Sequence, residues 1–310
     1  MSSTNKRWLN WSIFFKLTEI NTATLNVLWF ILGSAIAQYA FGTVNWVNVI
    51  LCLIDVYLFD LAVNIADNYY DYEHALDKKE YAQFTNPIGK FHLPAKGVKK
   101  LAWVMYAVSA IPGVFLVMNT GWQVLVMGII GYFIGIFYTA GKHPINATPV
   151  SSLVVTLSIS YFIQLVCVYI SVYGHQPLTW HMAGIVFLLC LPQTIVFFTM
   201  QLGNDACDRE EDARNHRYTL AYYIGTPNSI KLIQACLIFG TIWPLVNVFA
   251  LHIAPAITAL SVLTLPIIWM GCRPFFKNPD KQKTFIILVK NTSIFYLTYV
   301  VLFALGTWVF

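Results

Sequence analysis

Nine runs of predominantly apolar residues divide the chain, at 20–40, 46–68, 98–118, 122–139, 149–173, 180–203, 229–250, 253–271 and 288–309. Each has the length of about 20 residues that a helix needs to cross the hydrocarbon layer, and none shows the roughly ten-residue alternation of a membrane strand barrel. The pattern predicts an all-α polytopic membrane protein, a bundle of about nine transmembrane helices, read as one transmembrane domain over 1–310. Ahead of the first run, residues 1–19 are polar and aromatic, a short interfacial segment whose Trp8 and Trp11 suit the headgroup level. Lys6 and Arg7 lead into Trp8, Leu9, Asn10 and Trp11 without a short apolar stretch and small-residue cleavage site, so the first span is expected to act as its own insertion signal.

The basic residues give the expected orientation. Lys6, Arg7 and Lys16 precede span one, and Lys78, Lys79, Lys90, Lys96, Lys99 and Lys100 follow span two. Lys142 follows span four, Arg209, Arg214, Arg217 and Lys231 follow span six, and Arg273, Lys277, Lys281 and Lys283 follow span eight. The connections after spans one, three, five and seven contain none, and Lys290 falls at the start of span nine. By the positive-inside rule the N-terminus and the even-numbered loops face the cytoplasm. Those loops are also the long ones, so function is expected on that side. The net charge of +5 then reflects topology and calls for no nucleic-acid partner. Charged residues make up only 11% of the chain, against about 25% in soluble proteins. The six cysteines lie mostly in or beside apolar runs with no CxxC pair, which argues against a disulfide frame or a zinc site.

The acids break this pattern. Of 14 acidic residues, all but Glu19, Asp55 and Asp280 lie within 60–80 or 205–212, at the ends of spans two and six. Asp60, Asn64, Asp67 and Asp71 stand at offsets 0, 4, 7 and 11, which on a helix is one stripe about 60° wide. Gln201, Asp205, Asp208 and Asp212 repeat the same offsets. Solvated helix ends carry acids by chance, but a repeated spacing at two span ends suggests one shared site. Carboxylates and amides on neighbouring helix ends are hard oxygen ligands, suited to Mg²⁺ held together with substrate phosphates. Lys78, Lys79, Lys90, Lys96, Lys142, Arg214 and Arg217 lie close by in sequence and can meet phosphate oxygens. Acids, bases and Mg²⁺ together suggest a diphosphate. Asp60 lies on the stripe, whereas Asp55 points about 140° away and is expected to be a structural hydrogen-bonding residue.

Both stretches resemble the paired aspartate motifs of the UbiA superfamily of intramembrane prenyltransferases. NIADNYYDYEHALD, at 64–77, is similar to the first motif of the menaquinone-branch members, which attach a polyprenyl chain to 1,4-dihydroxy-2-naphthoate. NDACDREEDARNHRYTLAYYIG, at 204–225, resembles the second motif with its following Arg217, Thr219, Leu220 and Ala221. Phe137, Tyr138, Thr139, Lys142 and Pro144 resemble the Tyr-Thr segment and basic loop after the fourth span. The chain departs from the family in having Asp67-Asn68 for the usual Asn-Asp, Glu19, Ile20 and Asn21 where Arg-Pro is usual, and no glycine in 142–152.

The resemblance implies helices around a central cavity open to lipid, with 69–97 and 204–228 as cytoplasmic active-site loops, in a bacterial cell membrane. It implies Mg²⁺ held by Asp67, Asp71, Asp77, Asp205, Asp208 and Asp212, with Asp67, Asp71, Asp208 and Asp212 catalytic. The diphosphate of a polyprenyl substrate would meet Asn64, Asn68, Lys78, Lys142, Asn204 and Arg217, and the acceptor would be an aromatic such as dihydroxynaphthoate. Alternatives left open are 4-hydroxybenzoate as acceptor, a non-catalytic homologue binding prenyl lipid or quinone, and a transporter. A transporter places its acids near the midplane on broken helices, whereas these lie at span ends.

Overall fold

The computed structural model describes residues 8–20, 26–76, 83 and 85–309, and among these it contains helices and no strand. In chain order they are α1 (Trp11–Thr18), α2 (Asn26–Phe41), α3 (Trp46–His74), α4 (Pro87–Lys90), α5 (Ala95–Thr120), α6 (Trp122–Thr139), α7 (Ser151–Ser171), α8 (Trp180–Arg214), α9 (Leu220–Ala250), α10 (Ala256–Gly271), α11 (Arg273–Lys277) and α12 (Phe285–Trp308). Seven of them are long and apolar enough to span a membrane: α3, α5, α6, α7, α8, α9 and α12. The shorter α2 and α10 are also apolar. All nine runs expected from hydropathy therefore coincide with helices. This is an integral, multi-pass membrane protein.

Two helices carry the polar motifs past the bilayer. Asn45 caps α3 by accepting from the Asn48 amide at 3.2 Å, and Thr179 caps α8 by accepting from Met182 at 3.2 Å. From those starts α3 runs 29 residues and α8 runs 35, about 43 and 52 Å at 1.5 Å per residue, against a hydrocarbon core of about 30 Å. The apolar runs end near 68 and 203, yet the helices continue to His74 and Arg214. The acidic motifs are thus the last turns of the helices themselves. Trp46, Trp122, Trp180 and Trp308, exposed at the opposite ends of α3, α6, α8 and α12, form an aromatic belt at the other interface.

The interior is organised by α2, α7, α8 and α12, whose Leu32, Cys167, Leu189 and Phe295 are fully buried. Pro192 interrupts α8 and has no N–H for the Leu188 carbonyl. That carbonyl instead accepts from Trp243 Nε1 at 3.2 Å and Asn247 Nδ2 at 3.0 Å, both on α9. The proline defect becomes the joint between α8 and α9. Near the acidic end of α8, Gly203 lets Leu288 and Phe275 approach the helix backbone, where a Cβ would run into Leu288. A second apolar cluster, of Leu17, Ala62, Ile65, Ile88, Val98 and Tyr106, packs α1 and α4 against α3 and α5. Within the segment expected at the interface, α1 leaves Trp11 and Phe15 exposed and buries Leu17.

Candidate active site

Two side chains of α3 turn toward α1, and one at the start of α4 ties back to α3, fixing where the α3 tip lies. Asn64 Nδ2 donates to the Thr18 carbonyl at 2.9 Å, and Asn68 Nδ2 donates to Leu17 at 3.2 Å. Asn86 in turn donates to the Asn68 carbonyl at 2.9 Å. The amides of Asn64 and Asn68, expected on the diphosphate, are spent on the backbone of α1. Asp60 accepts from Asn26 of α2 at 3.0 Å, and Asp55 accepts from Tyr132 of α6 at 2.6 Å, the structural hydrogen bond its position predicts. This leaves Asp67 and Asp71, both half-buried, as the α3 carboxylates beside the second motif.

On α8, Asp205 is 8% exposed and accepts from Ser152 of α7 at 2.5 Å, while Asp212 is 7% exposed. Asn204 accepts from Lys281 at 2.5 Å, and the same ammonium pairs with Asp208. Beyond the tip, the chain turns back through His216 at φ 57°, and the Arg217 amide donates to the Asp212 carbonyl at 2.8 Å. That turn aims the guanidinium between the two motifs, with Nη1 3.6 Å from Asp71 and Nε 3.4 Å from Asp212. The Leu76 amide donates to Asn215 Oδ1 at 3.0 Å, a second tie between the tips. Tyr218 donates to the Ala147 carbonyl at 3.0 Å, which brings the loop after α6 to the same end. The Tyr138 hydroxyl lies within electrostatic reach of Asp67, Asp205, Arg217 and Asp71. The tip of α3 and the connections after α6, α8 and α11 thus gather at one end of the bundle.

Five carboxylates, of Asp67, Asp71, Asp205, Asp208 and Asp212, face two cations, Arg217 and Lys281. Among the described residues no three His, Cys, Asp or Glu side chains stand in a group that could hold a metal ion. The donor set is nonetheless hard oxygen with a surplus of negative charge, which fits a divalent cation. Burial pushes the Glu19 carboxyl, at the C-cap of α1, above the usual range, and Lys281 opposes that shift. Lys142 is exposed and makes no ion pair among the described residues. Asp77 and Lys78, expected in the site, lie outside the described residues. The sequence signal missed Lys281, Ser152 and Glu19: Lys281 reads as one more topogenic lysine, and Ser152 as a small residue in an apolar run.

Two over-long helices that carry carboxylates and meet through one arginine define an all-helical membrane enzyme with a polar site at one end of its bundle. The chain belongs to the UbiA prenyltransferase family, whose model matches residues 27–294, and it is a prenyltransferase. It is 25% identical, over 91% of its length and 87% of the relative's, to the 1,4-dihydroxy-2-naphthoate octaprenyltransferase of Bacillus subtilis (strain 168). Its fold is that of a UbiA homolog from Aeropyrum pernix K1, with a TM-score of 0.66 at 13% identity over 91% of this chain and 98% of that one. A UbiA homolog from Archaeoglobus fulgidus bound to GPP and Mg²⁺ superposes with a TM-score of 0.59 at 14% identity, over 94% of this chain and 99% of that one.

Proposed function

We propose that the chain transfers a polyprenyl group from an isoprenyl diphosphate to 1,4-dihydroxy-2-naphthoate, with Mg²⁺ as cofactor and the site at the cytoplasmic face of a bacterial cell membrane. The observation that carries the reading is the bridge from Asp71 through Arg217 to Asp212, which joins the two motifs into one site. The likeness to the dihydroxynaphthoate enzyme over nearly the whole chain supports the acceptor, and the GPP- and Mg²⁺-bound relative supports diphosphate and metal.

In this reading Arg217 binds the diphosphate through a two-armed guanidinium, and Asn204 completes the polar wall. Asp67, Asp71, Asp205, Asp208 and Asp212 would hold Mg²⁺, which when bound neutralises charge on the leaving group. The allylic C–O bond breaks with its electron pair going to the diphosphate, the electron-rich ring supplies the pair for the new C–C bond, and the attacked ring carbon then sheds its proton, or its carboxylate as CO₂, to restore the aromatic ring. Ser152 holds Asp205 in place, and α1, pinned by Asn64 and Asn68, covers the α3 side of the site. The tail is assigned to an apolar groove of about 500 Å³ between α7, α8 and α9, lined by Leu153, Thr156, Leu191, Ile195, Phe198 and Phe239. It begins at Leu153, next to Ser152 in α7.

The test is incubation of purified protein with Mg²⁺, a radiolabelled prenyl diphosphate and either acceptor. Label entering a prenylated naphthalene is the expected result. Label entering only 4-hydroxybenzoate would replace the acceptor, and prenyl-lipid binding without any product would end the catalytic reading.

A further inference from the structure

The loop between α11 and α12 delivers a charge to the site that its sequence context does not announce. Asp280 Oδ1 accepts from the amides of Gln282 at 2.9 Å and Lys283 at 2.8 Å. The Asp280 amide donates to Thr284 Oγ1 at 2.8 Å, and the Thr284 hydroxyl donates to the Asn278 carbonyl at 2.7 Å. Residues 278–284 are therefore a fixed turn. Lys281 projects from it across 73 positions of sequence onto Asp208, and onto Asn204 beside it, with its ammonium 5.2 Å from the centre of the Phe285 ring. Lys277 and Lys283, on either side, are exposed and make no ion pair among the described residues. Only one lysine of this group is aimed.

We infer that Lys281 is a substrate-binding residue that grips the diphosphate from the side opposite Arg217, an inference resting on the diphosphate reading above. Asp208 and Asp212 stand one helical turn apart on α8. Lys281 sits at the first and Arg217 at the second. The two cations therefore bracket the acid row at which a diphosphate would dock. An ammonium has three donors. Two are occupied by Asn204 and Asp208, and the side chain is 45% exposed, so the third can meet an incoming phosphate oxygen. The exposed Lys142, expected from sequence in this role, makes no comparable contact.

The experiment compares wild type with Lys281→Met, Lys281→Arg and, as a control on the same turn, Lys283→Met. Inorganic pyrophosphate binding with Mg²⁺ is measured by calorimetry, KM is measured separately for prenyl diphosphate and acceptor, and thermal unfolding is followed in detergent. Lys281→Met is expected to weaken pyrophosphate binding and raise the prenyl diphosphate KM by about tenfold or more, the loss of one charge-assisted hydrogen bond. The acceptor KM should stay unchanged, Lys281→Arg should recover part of the loss, and Lys283→Met should match wild type. Unchanged pyrophosphate affinity in Lys281→Met, with a lowered unfolding midpoint, would make Lys281 a tether for the loop and overturn the inference. A wild type that neither binds pyrophosphate nor turns over prenyl diphosphate would overturn the diphosphate reading and this inference with it.

Discussion

Arg217→Met is the most direct test of the site, because one side chain joins both motifs. The guanidinium is 29% exposed, and its partners Asp71 and Asp212 are 21% and 10% exposed. At roughly 3.5 Å and an effective dielectric near 20, each attraction is about 5 kcal/mol before desolvation is subtracted. Desolvation of three charges removes most of that, but deleting one partner of a buried pair leaves its carboxylates uncompensated and costs about 3–5 kcal/mol. For these partly exposed groups a loss of about 2–3 kcal/mol is expected, equivalent to about 30- to 150-fold in an equilibrium constant. Thermal unfolding in detergent should show the variant destabilised. Mg²⁺ should raise its midpoint more than that of wild type, because a divalent cation can offset the carboxylates that arginine no longer faces. Pyrophosphate binding should weaken over the same range. Arg217→Lys should fall between, since an ammonium keeps the charge and loses the two-armed geometry. An Arg217→Met protein that unfolds and binds pyrophosphate as wild type does would refute the bridge as an energetic link.

Three further substitutions probe what surrounds the bridge. Ser152→Ala removes the donor to the buried Asp205 and should cost about 1–3 kcal/mol of stability, read by thermal unfolding, with weaker Mg²⁺ binding read by calorimetry. Asn64→Ala removes the hold on Thr18 and should speed limited proteolysis within α1 while pyrophosphate affinity stays near wild type. A large loss of affinity without faster cleavage would return Asn64 to the diphosphate site. Gly203→Val drives a side chain into Leu288 and Phe275, whereas Gly128 has nothing within 4 Å of an added Cβ. The first should lower stability by about 1–3 kcal/mol or more, as overpacking does, and Gly128→Val should leave the unfolding midpoint unchanged.

The helices were legible in the sequence because each has to bury some 20 residues in hydrocarbon, and hydropathy reports that requirement directly. Their ends were less legible. An apolar criterion stops at 68 and 203, where the polar motifs begin, although the 0, 4, 7, 11 spacing of those motifs already demanded a continuing helix to His74 and Arg214. The spacing also foretold one shared end for the two motifs, and Arg217 bridges Asp71 of the first to Asp212 of the second. It did not foretell how the amides would be used. Asn64 and Asp67 are neighbours on one stripe, yet Asn64 turns to Thr18 because the α1 carbonyls at a helix end need donors. The sequence favoured Lys142, in its short loop after span four, and read Lys281 as one more topogenic lysine. Only the turn built by Asp280 and Thr284 separates the lysine that reaches the acids from the one that remains in solvent.

The site also breaks a local rule in a way that explains its demand for cations. The C-terminus of a helix carries a partial negative charge of about half an elementary charge, so acids there are disfavoured and bases favoured. Asp71 and Asp212 nevertheless occupy the last turns of α3 and α8, where His74 and Arg214 are the only basic residues. Two such ends converge on one another, so carboxylates and helix dipoles add with the same sign. Sequences that break a local preference without compensation fold poorly, and natural ones do so chiefly at functional sites. Here the compensation arrives from outside both helices, from Arg217 just past the α8 turn and from Lys281 on the last loop at this end. A divalent cation would finish the same task. The arrangement thus stores unfavourable electrostatics in the protein that binding of a divalent cation can relieve, which favours the cation-loaded site over the free protein.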